Sequence, residues 1–305
     1  MTDVLSINRL VRTAAASGAR IRLSIAGPHD VSTLKAACRA RDLGFAESFL
    51  FGRPEQIDAL FEKLGEDRGK GVHVIPVQGE SDAVRQAARH AHGGDSDVLV
   101  KGQVPTGLLL RAVLNNEFGL RTHRLLSHVA LFDDPTSGRP MLLTDAGVNI
   151  APNVHRKVQI VRNAVAVALA LGWDCPRVAM LAAIDTLNYP AMQATLDAAL
   201  VSRIAASGAV PSAIVDGPFA LDNAVSPESA AKKHRQGPVA GRADILCAPE
   251  IETANVLYKS LQTFGRVVFA SVVVGGKTPV VVPSRSDSAE TKLTSIALAC
   301  VICTH

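Results

Sequence analysis

A chain of 305 residues with 48% hydrophobic, 20% charged and 4% aromatic residues has the composition of a compact globular protein of about two domains with aliphatic cores, which excludes a disordered chain. The formal net charge of +4 is scattered among acidic residues, which excludes a nucleic-acid surface and points instead to a local anionic ligand such as phosphate or a nucleotide cofactor. No stretch reaches the ~18 uncharged apolar residues of a membrane span, and Arg9, Arg12, Arg20 and Arg22 break any signal-like run, so a cytoplasmic protein is expected.

Residues 21–116 repeat one beat. "IRLSIAG" at 21–27, "ESFLFG" at 47–52, "VHVIP" at 72–76 and "DVLVKG" at 97–102 predict strands. The segments 32–43, 54–64, 81–92 and 106–116 predict helices between and after them, the last with Thr106 as N-cap. Such alternation is the signature of βαβ units and a parallel sheet. The rhythm breaks at 117–140, where "HVALFDDPTSGRP" reads as a strand and turn leading into a second lobe.

The alternation then resumes. Strands are predicted at 141–146, 178–183, 212–217, 243–249, 266–276 and 279–284, and helices at 154–171, 190–206, 251–262 and 289–302. Ligands of open parallel sheets bind beyond the carboxyl ends of the strands. The expected strand ends are Gly27-Pro28-His29, Gly52-Arg53, Lys101-Gly102, Asp145, Asp185, Asp216-Gly217-Pro218 and Ser284-Arg285.

Several motifs point elsewhere and fail on inspection. "GGKT" at 275–278 lacks the Gly that a P-loop needs at position 271, which is Ser271, and Pro279 opens a strand where a helix should begin. No G-x-G-x-x-G follows the first strand. "CVICTH" at 300–305 offers Cys300, Cys303 and His305, but its helical spacing in an apolar run puts both sulfurs on one buried face. The five cysteines, an odd number, read as reduced thiols, and His128 and His155 as turn or cap residues. No metal site is predicted.

Three stretches carry the chemistry: "DVLVKGQVPTGLLLRAVL" (97–114), "IVDGPFALDNAVSPESAAKKHRQGPVAGRADILCAPEIETANVLYK" (214–259) and "PVVVPSRSDSAETKLTSIALA" (279–299). Together they resemble the phosphate acetyl/butyryltransferase family, from about residue 97 to 300, in the order and spacing of "DGP", "ALD", "VAG-ADIL", "P-IE-AN-LYK" and "SR-DS-ETKL-SIALA". The Ser-Arg-x-Asp-Ser-x-Glu-Thr-Lys form is more similar to the butyryltransferase branch.

The resemblance implies reversible transfer of an acyl group from acyl-CoA to phosphate, giving acyl phosphate and CoA, by direct attack in a ternary complex. It implies a two-lobed α/β fold of parallel and mixed sheets with an interlobe cleft, similar to the isocitrate and isopropylmalate dehydrogenases. The lobes would be 1–127 plus 280–305, and 128–279. A homodimer is expected, with CoA as substrate and no tightly bound cofactor.

Side-chain chemistry fits these expectations. Phosphate attacking a thioester needs its charge gripped and aimed, which the planar fork of arginine does well; Arg111 and Arg285 are the candidates, with Lys101 beside them. The tetrahedral oxyanion needs pre-placed donors, for which Ser284 and Arg285 are suited. In reverse, the CoA thiol benefits from a carboxylate base. The acetyltransferase pattern has an Asp seven residues after the Ser, where this chain has Thr291, so Asp287 and Glu290 compete for the role, Asp287 being preferred. The spacing from Gly102 to Arg111 is one residue shorter than in the family pattern.

Other assignments stay open between binding and surface structure. Asn255 and Lys259, four apart on one helix, and Lys233 in the cluster Lys232-Lys233-His234-Arg235 approach CoA phosphates or form solvated stripes. Asp216 and Asp222 line the site or cap turns, and Ser288 reads as a helix cap. Two other functions fit less well: a metal- and NAD-dependent decarboxylating dehydrogenase on the same fold, which needs an Asp cluster the Ser-Arg motif does not offer, and a catalytically silent CoA-binding protein.

Overall fold

A computed structural model of the chain describes residues 4–304. In chain order the elements begin with α1 (Ile7–Ala16), β1 (Ile21–Ala26), α2 (Val31–Asp42), β2 (Ala46–Gly52), α3 (Pro54–Leu64), β3 (Val72–Pro76), α4 (Glu80–His92), β4 (Val98–Lys101) and α5 (Thr106–Val113). Next come β5 (Ser127–Asp133), β6 (Pro140–Thr144), α6 (Val154–Ala170), β7 (Arg177–Leu181), α7 (Gln193–Ile204), β8 (Ile214–Phe219), α8 (Leu221–Val225) and α9 (Pro227–Lys232). The chain closes with β9 (Ile245–Cys247), α10 (Ile251–Thr263), β10 (Ala270–Val274), β11 (Val280–Val281) and α11 (Ala289–Thr304).

These elements form two compact units. One holds Ile7–Arg124 and the chain from Phe269 onward; the other holds Leu125–Val268 with the segment ending at Ser6. The sequence places the return at 280, whereas the first unit takes the chain up from Phe269. The reason is a hairpin: β10 pairs antiparallel with β11 through Val273 and Val280, so the strand before "GGKT" belongs with the strand after it. That motif is therefore a hairpin connection.

In the first unit the strand order is β3-β2-β1-β4-β11-β10, parallel except for β10. Strands covered on both faces read as continuous apolar runs: Leu23, Ile25, Leu99 and Val280 are fully buried. The pairing of β11 is confined to Val280–Val281 although 279–284 reads as a strand, because Pro279 and Pro283 bring no N–H to a ladder. α1 is not among the predicted elements; its Leu10 and Ala14 are buried. α5 begins at Thr106 with Pro105 in the cap position, so Thr106 is inside the helix rather than its cap.

In the second unit the order is β5-β6-β9-β7-β8, with β5 and β6 antiparallel and the others parallel. The strand and turn expected at 128–140 is the β5–β6 hairpin. His128 lies within β5, nearly buried, and is not a turn residue. β8 runs on to Phe219, so Asp216 is a mid-strand residue and not a strand end. Asp244 is buried beside two guanidiniums, taking bonds from Arg177 at 2.8 Å and Arg139 at 3.1 Å. No described helix is long and apolar enough to cross a membrane.

Candidate active site

The first unit brings three loops to one edge of its sheet. β1, β4 and β11 are adjacent and parallel, so the residues following Ala26, Lys101 and Val281 emerge on the same side. The first two loops lie back to back: Gly102 donates its amide to Ala26 O at 2.9 Å and Gln103 to Gly27 O at 2.7 Å. A Cβ on Gly102 would stand 2.2 Å from Gly27 O, closer than any side chain tolerates. Gly27, with φ of 67°, takes the left-handed backbone that glycine adopts freely.

This close approach sets Lys101. Its side chain is nearly buried, 3% exposed, and its ammonium donates to Gly102 O at 3.1 Å. Burial lowers its pKa, and the neighbouring charges of Lys292 and Arg285 lower it further, against Asp30 and Asp287, which raise it. Three cations face two carboxylates, an excess of one positive charge in a low-dielectric setting. A local excess of positive charge of this kind attracts anions.

Asp30 is already committed. It caps α2 by accepting from Thr33 N at 2.8 Å, and also takes bonds from Ser32 Oγ at 2.6 Å, Thr33 Oγ1 at 2.6 Å and Lys292 Nζ at 2.8 Å. Burial opposes its ionisation, but these hydrogen bonds, led by Lys292, outweigh it and hold the carboxyl at about 2. The free positive charge of the cluster therefore falls to Lys101 and Arg285.

The stretch after β11 is a turn. Asp287 N donates to Ser284 O at 3.2 Å, and Ser284 N donates to Asp287 Oδ2 at 2.7 Å, so Arg285 and Ser286 occupy its tip. Arg285 is exposed and has no hydrogen bond or ion pair among the described residues. The hydroxyls of Ser284 and Ser286 are 3.0 Å apart. Ser288 caps α11, accepting from Thr291 N at 3.1 Å.

The two candidate carboxylates part company here. Asp287, the preferred base, is 8% exposed, and its Oδ1 is buried with no partner among the described residues. Glu290 is the exposed one, 3.7 Å from Arg39. The turn folds Asp287 inward because its carboxylate closes the backbone loop around Ser284.

The remaining candidates are placed singly. Arg111 lies exposed on α5 without an ion pair among the described residues. In the second unit, Asn255 donates to Ala146 O at 3.1 Å, and Lys259 reaches Gln262 at 3.2 Å and the ring of Tyr258. Lys233 pairs with Asp222 at 2.9 Å, and Asp216 with Arg235 at 3.3 Å, whose guanidinium also lies over Phe219. These pairs answer the charges of Lys233 and Asp216 locally. Asp145, after β6, is saturated by Gly147 N and Val148 N, both at 3.0 Å, and by Asn149, whose side chain donates at 2.7 Å.

Lys292, Asp30 and Thr33 are absent from the sequence-based candidates. A lysine directly before the run "LTSIALAC", four residues ahead of the buried Ile296 and so on the same helix face, is the signal that points to the first. The cysteines also need correction: Cys38, Cys247 and Cys300 are buried, but Cys175 and Cys303 are exposed, so the two sulfurs of "CVICTH" do not share a buried face. His305 of that motif lies outside the described residues. Among the described residues, no three His, Cys, Asp or Glu side chains cluster so as to hold a metal.

Fold and site together define an α/β protein with an anion-seeking cluster at the strand ends of its discontinuous unit. Residues 76–300 match the family described as phosphate acetyl/butaryl transferase, and the chain belongs to it. It is 43% identical over 277 residues to a probable phosphate butyryltransferase of Bacillus subtilis, covering 91% of each chain. It is also 40% identical over 295 residues to a phosphate acetyltransferase of Thermotoga maritima, covering 97% of this chain and 99% of that one.

Among solved structures, a branched-chain phosphotransacylase from Enterococcus faecalis superposes with a TM-score of 0.83 at 34% identity, over 93% of this chain and 99% of that one. A Klebsiella pneumoniae 4-hydroxythreonine-4-phosphate dehydrogenase, with a TM-score of 0.50 and 12% identity over 93% of this chain and 99% of that one, shares the fold alone. The similarity to dehydrogenase-like folds expected from the sequence is thus present. Relatives of acetyl and butyryl name stand at nearly equal identity, so the comparisons do not separate the branches.

Proposed function

We propose that this protein catalyses reversible acyl transfer between CoA and inorganic phosphate. The observation that carries this reading is the adjacency of β4 and β11, parallel neighbours whose carboxyl ends deliver buried Lys101 and, through the turn that follows, Ser284 and the exposed Arg285 to the same edge of the sheet. Membership of a family whose relatives are named for this activity at 40–43% identity supports the same chemistry.

In the proposed reaction Arg285 and Lys101 hold the phosphate, and Arg111 adds a further guanidinium. A phosphate oxygen attacks the thioester carbon, and the oxyanion that forms is met by Ser284 Oγ and Arg285, a kind of contribution worth roughly 3–4 kcal/mol per donor. Collapse expels the CoA thiolate, which takes up a proton. In reverse, the thiol, with a pKa of about 8.5 when free, must lose that proton. We assign this transfer to Asp287, and to Glu290 the support of the first turn of α11. Asn255, Lys259, Asp216 and Lys233 are assigned to CoA, of which Lys259 is the exposed cation without a carboxylate partner among the described residues.

CoA acts here as a substrate, with no tightly bound cofactor. The same reading includes a cytoplasmic homodimer, for which light scattering of the purified protein is the direct measurement. Release of thiol from acetyl-, propionyl-, butyryl- and branched acyl-CoA in the presence of phosphate or arsenate tests the function. Turnover with at least one acyl-CoA is expected. Intact CoA binding without turnover on any of them would instead identify a silent CoA-binding protein.

A further inference from the structure

Lys292 occupies a position where packing alone calls for an apolar residue. The helix α11 buries Leu293, Ile296, Ala297 and Cys300, and Lys292 is only 4% exposed among them. A buried ammonium is costly unless its protons are accepted. Asp30 Oδ1 accepts one at 2.8 Å and Thr33 Oγ1 another at 2.9 Å. Both acceptors belong to the passage from β1 into α2, so the bonds tie a loop near the start of the chain to its last helix. Arg39 and Glu290 also link α2 and α11, at 3.7 Å, but both are well exposed, and such pairs contribute little.

The turn that presents Ser284 and Arg285 runs directly into α11. Lys292 N donates to Ser288 O at 3.1 Å, which places Lys292 in the helical turn that Ser288 caps. Any drift of this end of α11 is passed to the Ser284–Asp287 turn. We infer that Lys292 is a positioning residue: its buried bonds to Asp30 and Thr33 hold the Ser284–Arg285 turn in place, and its charge stands beside Lys101. The kinetic consequence rests on the acyl-transfer reading; the structural consequence does not.

The charged groups facing Lys101 are Lys292 on α11, Arg285 and Asp287 in the turn, and Asp30 after β1. Removing the Lys292 charge withdraws one of the two cations that depress Lys101, so Lys101 keeps its proton to higher pH. A purely structural role for Lys292 would not move this titration.

Lys292→Met and Lys292→Arg are compared with the wild type in thiol release from acyl-CoA with phosphate, in pH profiles, and in amide hydrogen exchange over 284–288. The Met variant is expected to lose kcat by about 10- to 100-fold, the range that small misplacements of reacting groups produce. It should also exchange faster over 284–288 and shift the alkaline limb to higher pH, with Lys292→Arg recovering part of each. Wild-type kcat or unchanged exchange in the Met variant overturns the inference. A wild type inactive on every acyl-CoA sinks the acyl-transfer reading alone, and exchange over 284–288 then decides the positioning role. If Lys292→Met does not fold, Thr33→Val removes one of the two acceptors while keeping the ion pair. Faster exchange over 284–288 in that variant supports the inference, and unchanged exchange overturns it.

Discussion

The backbone amide of Ser284 donates to the carboxylate of Asp287 at 2.7 Å, so the residue preferred as a base also shapes the turn that carries the hydroxyl and guanidinium. The second oxygen of Asp287 is buried and unpartnered among the described residues. Structure and proton transfer are therefore separable by substitution. Asp287→Asn keeps an oxygen to accept the Ser284 amide but loses the basic carboxylate. We expect kcat to fall by about 100-fold, as for loss of a general base, with melting temperature little changed. Glu290→Gln should give the smaller loss, and a larger loss there would transfer the role to Glu290.

Arg285 is exposed and unpaired among the described residues, so its removal leaves no buried carboxylate unanswered. Arg285→Ala is expected to lower kcat/KM for phosphate by about 100- to 1,000-fold, as for a lost oxyanion donor, without lowering stability. Arg285→Lys should recover little, because an ammonium lacks the two-pronged grip. Steady-state rates against phosphate concentration, with thermal melts alongside, check both statements.

Lys101 illustrates the opposite sign. Its folded pKa lies below its unfolded value, chiefly through burial and then through Lys292 and Arg285. A lysine so depressed costs stability wherever it is charged in the unfolded chain, and the cost fades as pH rises towards the unfolded value near 10.5. Lys101→Met should therefore raise the melting temperature at pH 7 while raising KM for phosphate. The stability gain should shrink in melts at high pH. A Met variant that is less stable at neutral pH would show that Lys101 is fully compensated in the fold.

Gly102 has no room for a side chain, because its Cβ would meet the backbone of Gly27 at 2.2 Å. Gly102→Ala should destabilise the protein by about 3 kcal/mol, at the upper end of typical overpacking costs. Because the same contact sets Lys101, phosphate binding should weaken in whatever fraction remains folded. Urea titration and phosphate KM are the two readouts.

Much of this protein was legible in its residues. The alternation of apolar runs with helical segments determined the βα units, because a strand buried on both faces must be apolar throughout. The strand ending at Lys101, the helix following Ser288 and the β5–β6 hairpin lie where the residues place them, with small shifts of boundary. The "SR-DS-ETKL" motif likewise carried the family.

The tertiary structure alone decided which charges have a local partner. Lys233 and Asp216 look like Lys101 and Asp287 in the sequence, yet they meet Asp222 and Arg235 as partners. Lys292 and Asp30, distant in the chain, neutralise each other in the interior, and Asp287 turns inward to accept a backbone amide. Local periodicity is encoded within a few residues and can be read there. The charge balance of a site depends on partners brought together from distant segments, and burial decides how strongly they act on one another.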